Sequence, residues 1–143
     1  MALSQAAMRD LRRACIHEYA HWAVARHFGA AGFVTIVGSR TGPPSWGGRF
    51  QMYGDLADRE WRIVALAGTV AECVDEDASV DGLGIIASLR HDPSLLSAID
   101  ARLAEGFSDD DVAQCLAIVK AAWHEIAGEA EDRASSVASE SSG

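Results

Sequence analysis

The sequence from Ala14 to Ala25 reads ACIHEYAHWAVA, which places the pattern H-E-x-x-H inside an apolar run. In an α-helix, residues four positions apart lie on one face, so His17 and His21 can bind one metal ion together. Glu18 lies beside that face. Zinc lowers the pKa of a water that it binds, and a neighbouring carboxylate can accept the proton during hydrolysis of a carbonyl group. The stretch therefore predicts a helix with a zinc site, in which His17 and His21 are ligands and Glu18 is the general base.

Hydrophobic patterning around this stretch predicts a long helix followed by a small antiparallel sheet. The helix covers about residues 3–28 and is ended by Gly29. Residues 33–37 are rich in β-branched side chains and predict a strand, and residues 49–53 predict a second strand that pairs with it. Residues 41–48 contain several glycines and prolines and predict the loop between the two strands.

Three further helices are expected in the rest of the chain. The first follows Asp55 as its cap and covers about residues 56–74. The next opens with Asp92 and a proline, which are typical of a helix start, and runs to about residue 105. The last covers about residues 108–133 and begins with Ser108 and an acidic residue three positions later, the spacing of a capping box.

The fold class predicted from these elements is mainly α, with four helices and a two-stranded antiparallel sheet. The chain has 143 residues, of which 49% are hydrophobic, so residues 1–133 are expected to form one domain with its own core. Residues 134–143 are rich in serine and are expected to be disordered. Residues 75–91 give no clear prediction, because two glycines weaken any helix there.

Composition also limits the classes of partner and compartment. The net charge of −9 argues against nucleic acids and anionic membranes as partners. No apolar stretch approaches the ~20 residues that span a bilayer, and the first residues lack the apolar core of a signal peptide. Cys15, Cys73 and Cys115 are odd in number and far apart, so we expect reduced thiols and a cytoplasmic protein.

The third metal ligand is not given by H-E-x-x-H, although a catalytic zinc usually has three protein ligands. His27 has the spacing of a third histidine in a longer pattern, but that pattern needs a glycine where this chain has Val24. An unbroken helix carries His27 away from the metal-binding face. Glu72, on the second helix, is a candidate ligand. His124 starts a similar pattern, but Gly128 replaces its second histidine, so we expect His124 at the surface.

Four motifs occur in an order that resembles a known family. They are HEYAH at residues 17–21, VTI at 34–36, a glycine pair at 47–48 and LAGTVAE at 66–72. This order is similar to that of the peptidase domain of FtsH-type zinc proteases and of the small stand-alone proteins related to it. The resemblance covers about residues 14–130.

The resemblance implies a zincin-like peptidase domain whose zinc is bound by two histidines and one aspartate. Glu18 would be the general base, and Glu72 would lie next to the ligands without binding zinc itself. The strand at residues 48–53 would be the edge along which an extended substrate pairs. For the aspartate, Asp92 fits by its position at the start of the third helix, and Asp81 and Asp100 are the alternatives.

Three functions follow as hypotheses. The first is a zinc metalloendopeptidase. The chain has no phosphate-binding G-x-x-x-x-G-K-[ST] loop, so we expect it to cleave peptides or flexible protein segments without ATP, either alone, as an oligomer or recruited by a partner. The second is a catalytically inactive module that binds zinc or a partner on the same fold. The third is a metal-free helical domain in which the motif occurs by chance.

Overall fold

In the computed structural model, which describes residues 3–38 and 45–142, the chain is mostly helical and carries one small sheet. In chain order the elements are α1 (Gln5–His27), β1 (Ala31–Gly38), β2 (Trp46–Tyr53), α2 (Asp58–Glu76), α3 (Gly82–His91), α4 (Ala98–Leu103), α5 (Asp109–Ala121) and α6 (Trp123–Ser142). The predicted mainly helical fold with a two-stranded antiparallel sheet is confirmed. The predicted number of four helices is wrong, because the described residues form six.

Helix α1 lies at the centre of the fold and contacts α2, α5, α6 and both strands. Its core-facing positions Leu11, Cys15 and Val24 are fully buried. Ser4 caps its first turn by accepting a hydrogen bond from the Ala7 N–H at 3.1 Å. Gly29 has a φ of +88°, a conformation that favours glycine, and it ends the helix as predicted.

The two strands form an antiparallel pair in which Val34 is opposite Phe50 and Thr35 is opposite Arg49. Strand β1 occupies one edge of β2, and no other strand pairs with β2 within the described residues. Part of the predicted loop was wrong, since Trp46 and the two glycines after it belong to β2. Residues 41–44 of that loop lie outside the described residues.

Helix α2 packs along α1 and buries Ile63, Leu66 and Val70. Its cap differs from the prediction. Ala57 occupies the cap position, and its N–H donates to the Glu60 carboxylate at 2.9 Å, so Asp55 does not begin the helix.

The segment after α2 contains the largest departure from the predicted elements. Residues 82–91 form α3, for which the sequence gave no clear prediction. The helix expected over residues 92–105 is interrupted, because Leu96 has an extended backbone and a buried side chain. A short 3-10 helix (Pro93–Leu95) precedes this break, and α4 follows it.

The predicted last helix is present as α5 and α6, which are separated only at Ala122. The predicted capping box is confirmed, since the Asp111 N–H donates to Ser108 Oγ and the Ser108 N–H donates to Asp111 Oδ2. The Asp111 carboxylate also accepts hydrogen bonds from Arg59 and Arg62 at 3.0 Å each, which ties α5 to α2.

The predicted disorder of residues 134–143 is wrong as far as Ser142, since α6 continues to that residue. Composition misled the prediction, because Ser135, Ser136 and Ser139 are exposed while apolar residues recur every fourth position on the inner face. Ile126, Ala130 and Ala134 are buried, and Ala138 packs partly against the core. None of the described helices is long and apolar enough to cross a membrane.

Candidate metal centre

His21 has one ring nitrogen bound to the backbone and the other directed into a cleft. It is buried, with 5% of its surface exposed. Its Nδ1 lies 2.6 Å from the carbonyl oxygen of Val64 on α2. A carbonyl oxygen only accepts, so Nδ1 carries the proton and Nε2 presents a lone pair. The ring stacks on Phe50 of β2, with 14° between the planes.

His17 is oriented in a similar way by a carboxylate. Its Nδ1 lies 3.7 Å from Oε1 of Glu72, which in turn accepts a hydrogen bond from Arg13 Nε at 3.1 Å. The carboxylate favours a proton on Nδ1, which again leaves Nε2 as a lone-pair donor. Gly68 makes room for the ring, since a Cβ at this position would lie 2.6 Å from Cδ2 of His17.

Asp100, in the first turn of α4, completes the cluster. Ser97 caps α4 by accepting a hydrogen bond from the Asp100 N–H at 3.1 Å, and this leaves the carboxylate facing α1. Asp100 Oδ2 lies 3.2 Å from His17 Nε2 and 3.4 Å from His21 Nε2, and the two Nε2 atoms lie 3.2 Å apart. The three residues could hold a metal ion.

The spacing of these atoms fits a metal ion of the size of zinc. Zinc bonds of about 2.0–2.1 Å in a tetrahedral arrangement separate the ligand atoms by about 3.3 Å. Three lone-pair atoms at 3.2–3.4 Å repel one another unless one of them carries a proton or a cation lies among them. The donor set of two imidazoles and one carboxylate also suits a divalent transition metal.

The pKa values of the metal-free cluster also favour a positive charge among its three residues. Burial lowers the pKa of His17, but the neighbouring carboxylates of Asp100 and Glu72 outweigh it and raise the pKa to about 10. Burial alone would raise the pKa of Asp100, yet the hydrogen bonds from His17 and His21 hold it well below its usual range. A proton or a metal ion must therefore neutralise this cluster near neutral pH.

Glu18 lies next to the cluster and is buried, with 8% of its surface exposed. Its Oε1 is 3.9 Å from His17 Nε2, so the carboxylate lies directly beside the cluster. The side chain packs on Gly48 of β2, where a Cβ would lie 3.0 Å from the Glu18 carboxyl carbon. Burial raises the pKa of Glu18, which makes its carboxylate a stronger base than a solvated one.

The cluster opens into a cleft of about 900 Å³ between β2, α2 and α4. Its walls include the backbone from Gly47 to Met52 along the unpaired edge of β2. Trp61 of α2 and Ile99 of α4 also line it. The volume is in the upper part of the range of small-ligand sites, and the cleft is large enough for a short peptide.

The structure brings His17, Glu18 and His21 together as predicted, but it does not place Asp92 with them. Asp92 is exposed and caps the 3-10 helix by accepting a hydrogen bond from the Ser94 N–H at 3.1 Å. The prediction of Asp92 at the metal site is therefore wrong, because the helix that it was expected to begin is interrupted before the cluster.

The other candidates are distributed as follows. Asp81 caps α3 through the Gly84 N–H, and His27 is exposed at the end of α1. Glu72 lies beside His17 and is not in the three-residue group. Asp100 was an alternative, and its spacing of three residues after Ser97 is a capping signal that could have raised its rank.

A scan of the chain against models of protein families finds no match, and a search of curated proteins finds no significantly similar sequence. The assignment of chemistry to the cluster therefore depends on the geometry of this chain and on the motif resemblance.

Proposed function

We propose that the protein is a zinc-dependent metallopeptidase with a zincin-like fold, in which His17, His21 and Asp100 hold the metal and Glu18 is the general base. The observation that carries the proposal is the convergence of His17 Nε2, His21 Nε2 and Asp100 Oδ2 at 3.2–3.4 Å. The carboxylate of Glu18 lies beside them. When bound there, zinc supplies a Lewis acid that polarises a carbonyl group and acidifies water.

Glu18 supplies the proton transfer. Its buried carboxylate accepts a proton from water as the water attacks the peptide carbonyl, and it then delivers that proton to the leaving amine. A structural zinc site is usually closed by four protein ligands and needs no base. Three ligands, an adjacent carboxylate and an open cleft support a catalytic site.

Strand β2 orients the substrate. One of its edges is bound by β1, and the other lies along the cleft. An extended peptide can add to this free edge through backbone hydrogen bonds, which do not depend on the side chains of the peptide. Gly48 lies on this strand and contacts Glu18, so a peptide bound along β2 passes the general base.

The first test is metal content. Protein purified without chelator is expected to contain one zinc per chain, and His17→Ala and His21→Ala to contain none. Changes in groups that merely support metal ligands cost about 10–100-fold in affinity, so loss of the Asp100 charge in Asp100→Asn should cost at least ~100-fold. Asp92→Asn is the matched control and should bind zinc like the wild type.

The same measurement of metal content also identifies which metal is bound. Two histidines and one carboxylate also bind Fe(II) in oxygenases, so elemental analysis that finds iron in place of zinc would overturn the proposed chemistry.

The second test is cleavage of a mixed peptide library, followed by mass spectrometry. Wild type is expected to cleave, and Glu18→Gln to retain zinc but lose activity, since glutamine cannot accept the proton. A wild type that holds zinc and binds peptides but does not cleave them would instead support a partner-binding module on this fold.

A further inference from the structure

Arg49, in the middle of β2, is a cation that the fold leaves available. It is exposed and lines the same cleft as Glu18 and Asp100. Among residues 3–38 and 45–142 its side chain has neither a hydrogen bond nor an ion pair. By contrast, Arg59 and Arg62 are both bound to one carboxylate in the core. The Arg49 guanidinium can therefore pair with a group that lies beside the outer face of β2.

The alternation of side chains along β2 places Arg49 opposite to the metal centre. Gly48 contacts Glu18 and Phe50 stacks on His21, so these even positions face α1. Arg49 is on the outer face of the strand. A peptide that adds to the free edge of β2 continues this alternation, and one of its outward side chains lies beside Arg49, with Cβ atoms about 4.5–5.5 Å apart.

The charges that line the cleft differ between its two parts. Glu18, Glu72 and Asp100 lie at the metal end. Among the described residues that line the cleft, Arg49 is the only arginine or lysine. A carboxylate on the substrate would be attracted to Arg49, so this charge favours the register of an acidic peptide that brings the two groups together.

We propose that Arg49 selects substrates with a glutamate or aspartate at the outward position next to it, an inference that rests on the proposed peptide binding along β2. The net charge of −9 opposes acidic substrates at long range. At physiological salt, however, this repulsion is screened beyond about 8 Å, whereas a direct pair is closer than that. Cross-strand pairs of opposite charge are weak, and we expect a preference of about 1.5- to 5-fold.

The experiment moves a single glutamate through a neutral peptide, with glutamine at the same position as the reference. Cleavage is measured for wild type, Arg49→Gln and Arg49→Glu. Equilibrium binding of the same peptides to Glu18→Gln, with and without the Arg49 changes, is measured by fluorescence anisotropy. Arg9→Gln is the matched control, since it removes the same charge from an exposed position on α1 outside the cleft.

Wild type is expected to prefer glutamate at one position by about 1.5- to 5-fold in kcat/KM, mainly through KM. Arg49→Gln should lose this preference, Arg49→Glu should favour lysine at that position, and Arg9→Gln should behave as wild type. The preference should shrink in 0.5 M salt, to which an exposed pair is sensitive.

For each peptide position, the kcat/KM and the affinity for the glutamate peptide are divided by those for the glutamine peptide. The proposal is overturned if these ratios are the same in wild type and Arg49→Gln at every position. The binding assay separates this failure from failure of the peptidase function. If peptides bind Glu18→Gln with a preference that depends on Arg49 but wild type never cleaves them, the peptidase function is wrong and the role of Arg49 stands.

Discussion

Gly68→Ala should remove zinc from the site, because the new methyl group would occupy space that the His17 ring now fills. An ideal Cβ at Gly68 lies 2.6 Å from Cδ2 of His17 and closer still to Cε1 and Nε2, whereas ordinary contact begins at 3.4 Å. The ring or the helix must therefore move by at least ~0.8 Å. Gly68 is buried on the side of α2 that packs against α1, whereas His17 borders the cleft. The His17 ring is therefore the part that moves.

The expected loss of zinc affinity follows from the small displacement of a ligand that a metal site tolerates. Ligand distances in zinc sites stay within about 0.2 Å of their usual values, so a shift of ~0.8 Å takes Nε2 out of bonding range. Loss of one of three ligands should weaken zinc binding at least ~100-fold, or about 2.7 kcal/mol. Alanine is a better helix former than glycine by about 1 kcal/mol, so the backbone of the metal-free variant is not destabilised.

The assay is a competition titration of zinc against a chelator, with thermal denaturation of the chelator-treated protein to show that the variant folds. The matched control is Gly128→Ala in α6, where a Cβ meets no atom within 4 Å. The control should bind zinc like the wild type. A folded Gly68→Ala protein with wild-type zinc affinity would refute the reasoning, since the His17 ring would then not be confined by α2.

Three further changes test the supports of the site and of the fold. Gly48→Ala should displace Glu18 and lower kcat about tenfold or more while zinc content stays at the wild-type level, as measured by peptide cleavage and metal analysis. Thr69→Val removes the hydroxyl that donates to the turn before α4 at 3.1 Å, and zinc affinity should fall by about 10–100-fold, whereas Thr69→Ser should restore it. Burial alone would raise the pKa of Asp111, but the N–H and two guanidinium groups around its carboxylate outweigh this and lower the pKa. Its stabilisation is therefore present above the unfolded pKa of about 3.9 and is lost as the pH falls through the folded value. Asp111→Asn should lower the free energy of unfolding by about 1–3 kcal/mol at pH 7, measured on chelator-treated protein. This difference from wild type should shrink below about pH 4. The exposed control Asp110→Asn should show neither effect.

The elements that were predicted correctly are those whose signals lie within the element itself. Helix α1 has an apolar stripe, a capping serine and a terminal glycine, and its bounds agree with the prediction to within two residues at each end. The strands have β-branched or alternating residues, and their pairing follows from the short connection. His17, Glu18 and His21 share a face of one helix, so their proximity needed no knowledge of the tertiary fold.

Composition was a poor guide where packing outweighs local preference. The serine-rich end of the chain is helical because Ala130 and Ala134 bury one face of α6 against the core, while Ser135, Ser136 and Ser139 are exposed. The tail was expected to be disordered because its few apolar residues are small. Small residues are nevertheless sufficient where two helices approach closely, since they allow contact along the whole face.

The error at Asp92 has a physical cause that concerns how α4 is held. Local signals predict one helix from residue 92, but the Leu96 side chain is buried, and the chain must become extended there to place it. This break creates a second helix start at Ser97, and its first turn carries Asp100 to the histidines of α1. A helix of six residues such as α4 is marginal alone, since nucleation outweighs the few hydrogen bonds that it gains. Contacts outside its own sequence must stabilise it, and those of Asp100 with His17 and His21 on α1 are such contacts. The residue that sequence reasoning ranked too low is thus on a short helix that contacts outside its own sequence hold in place.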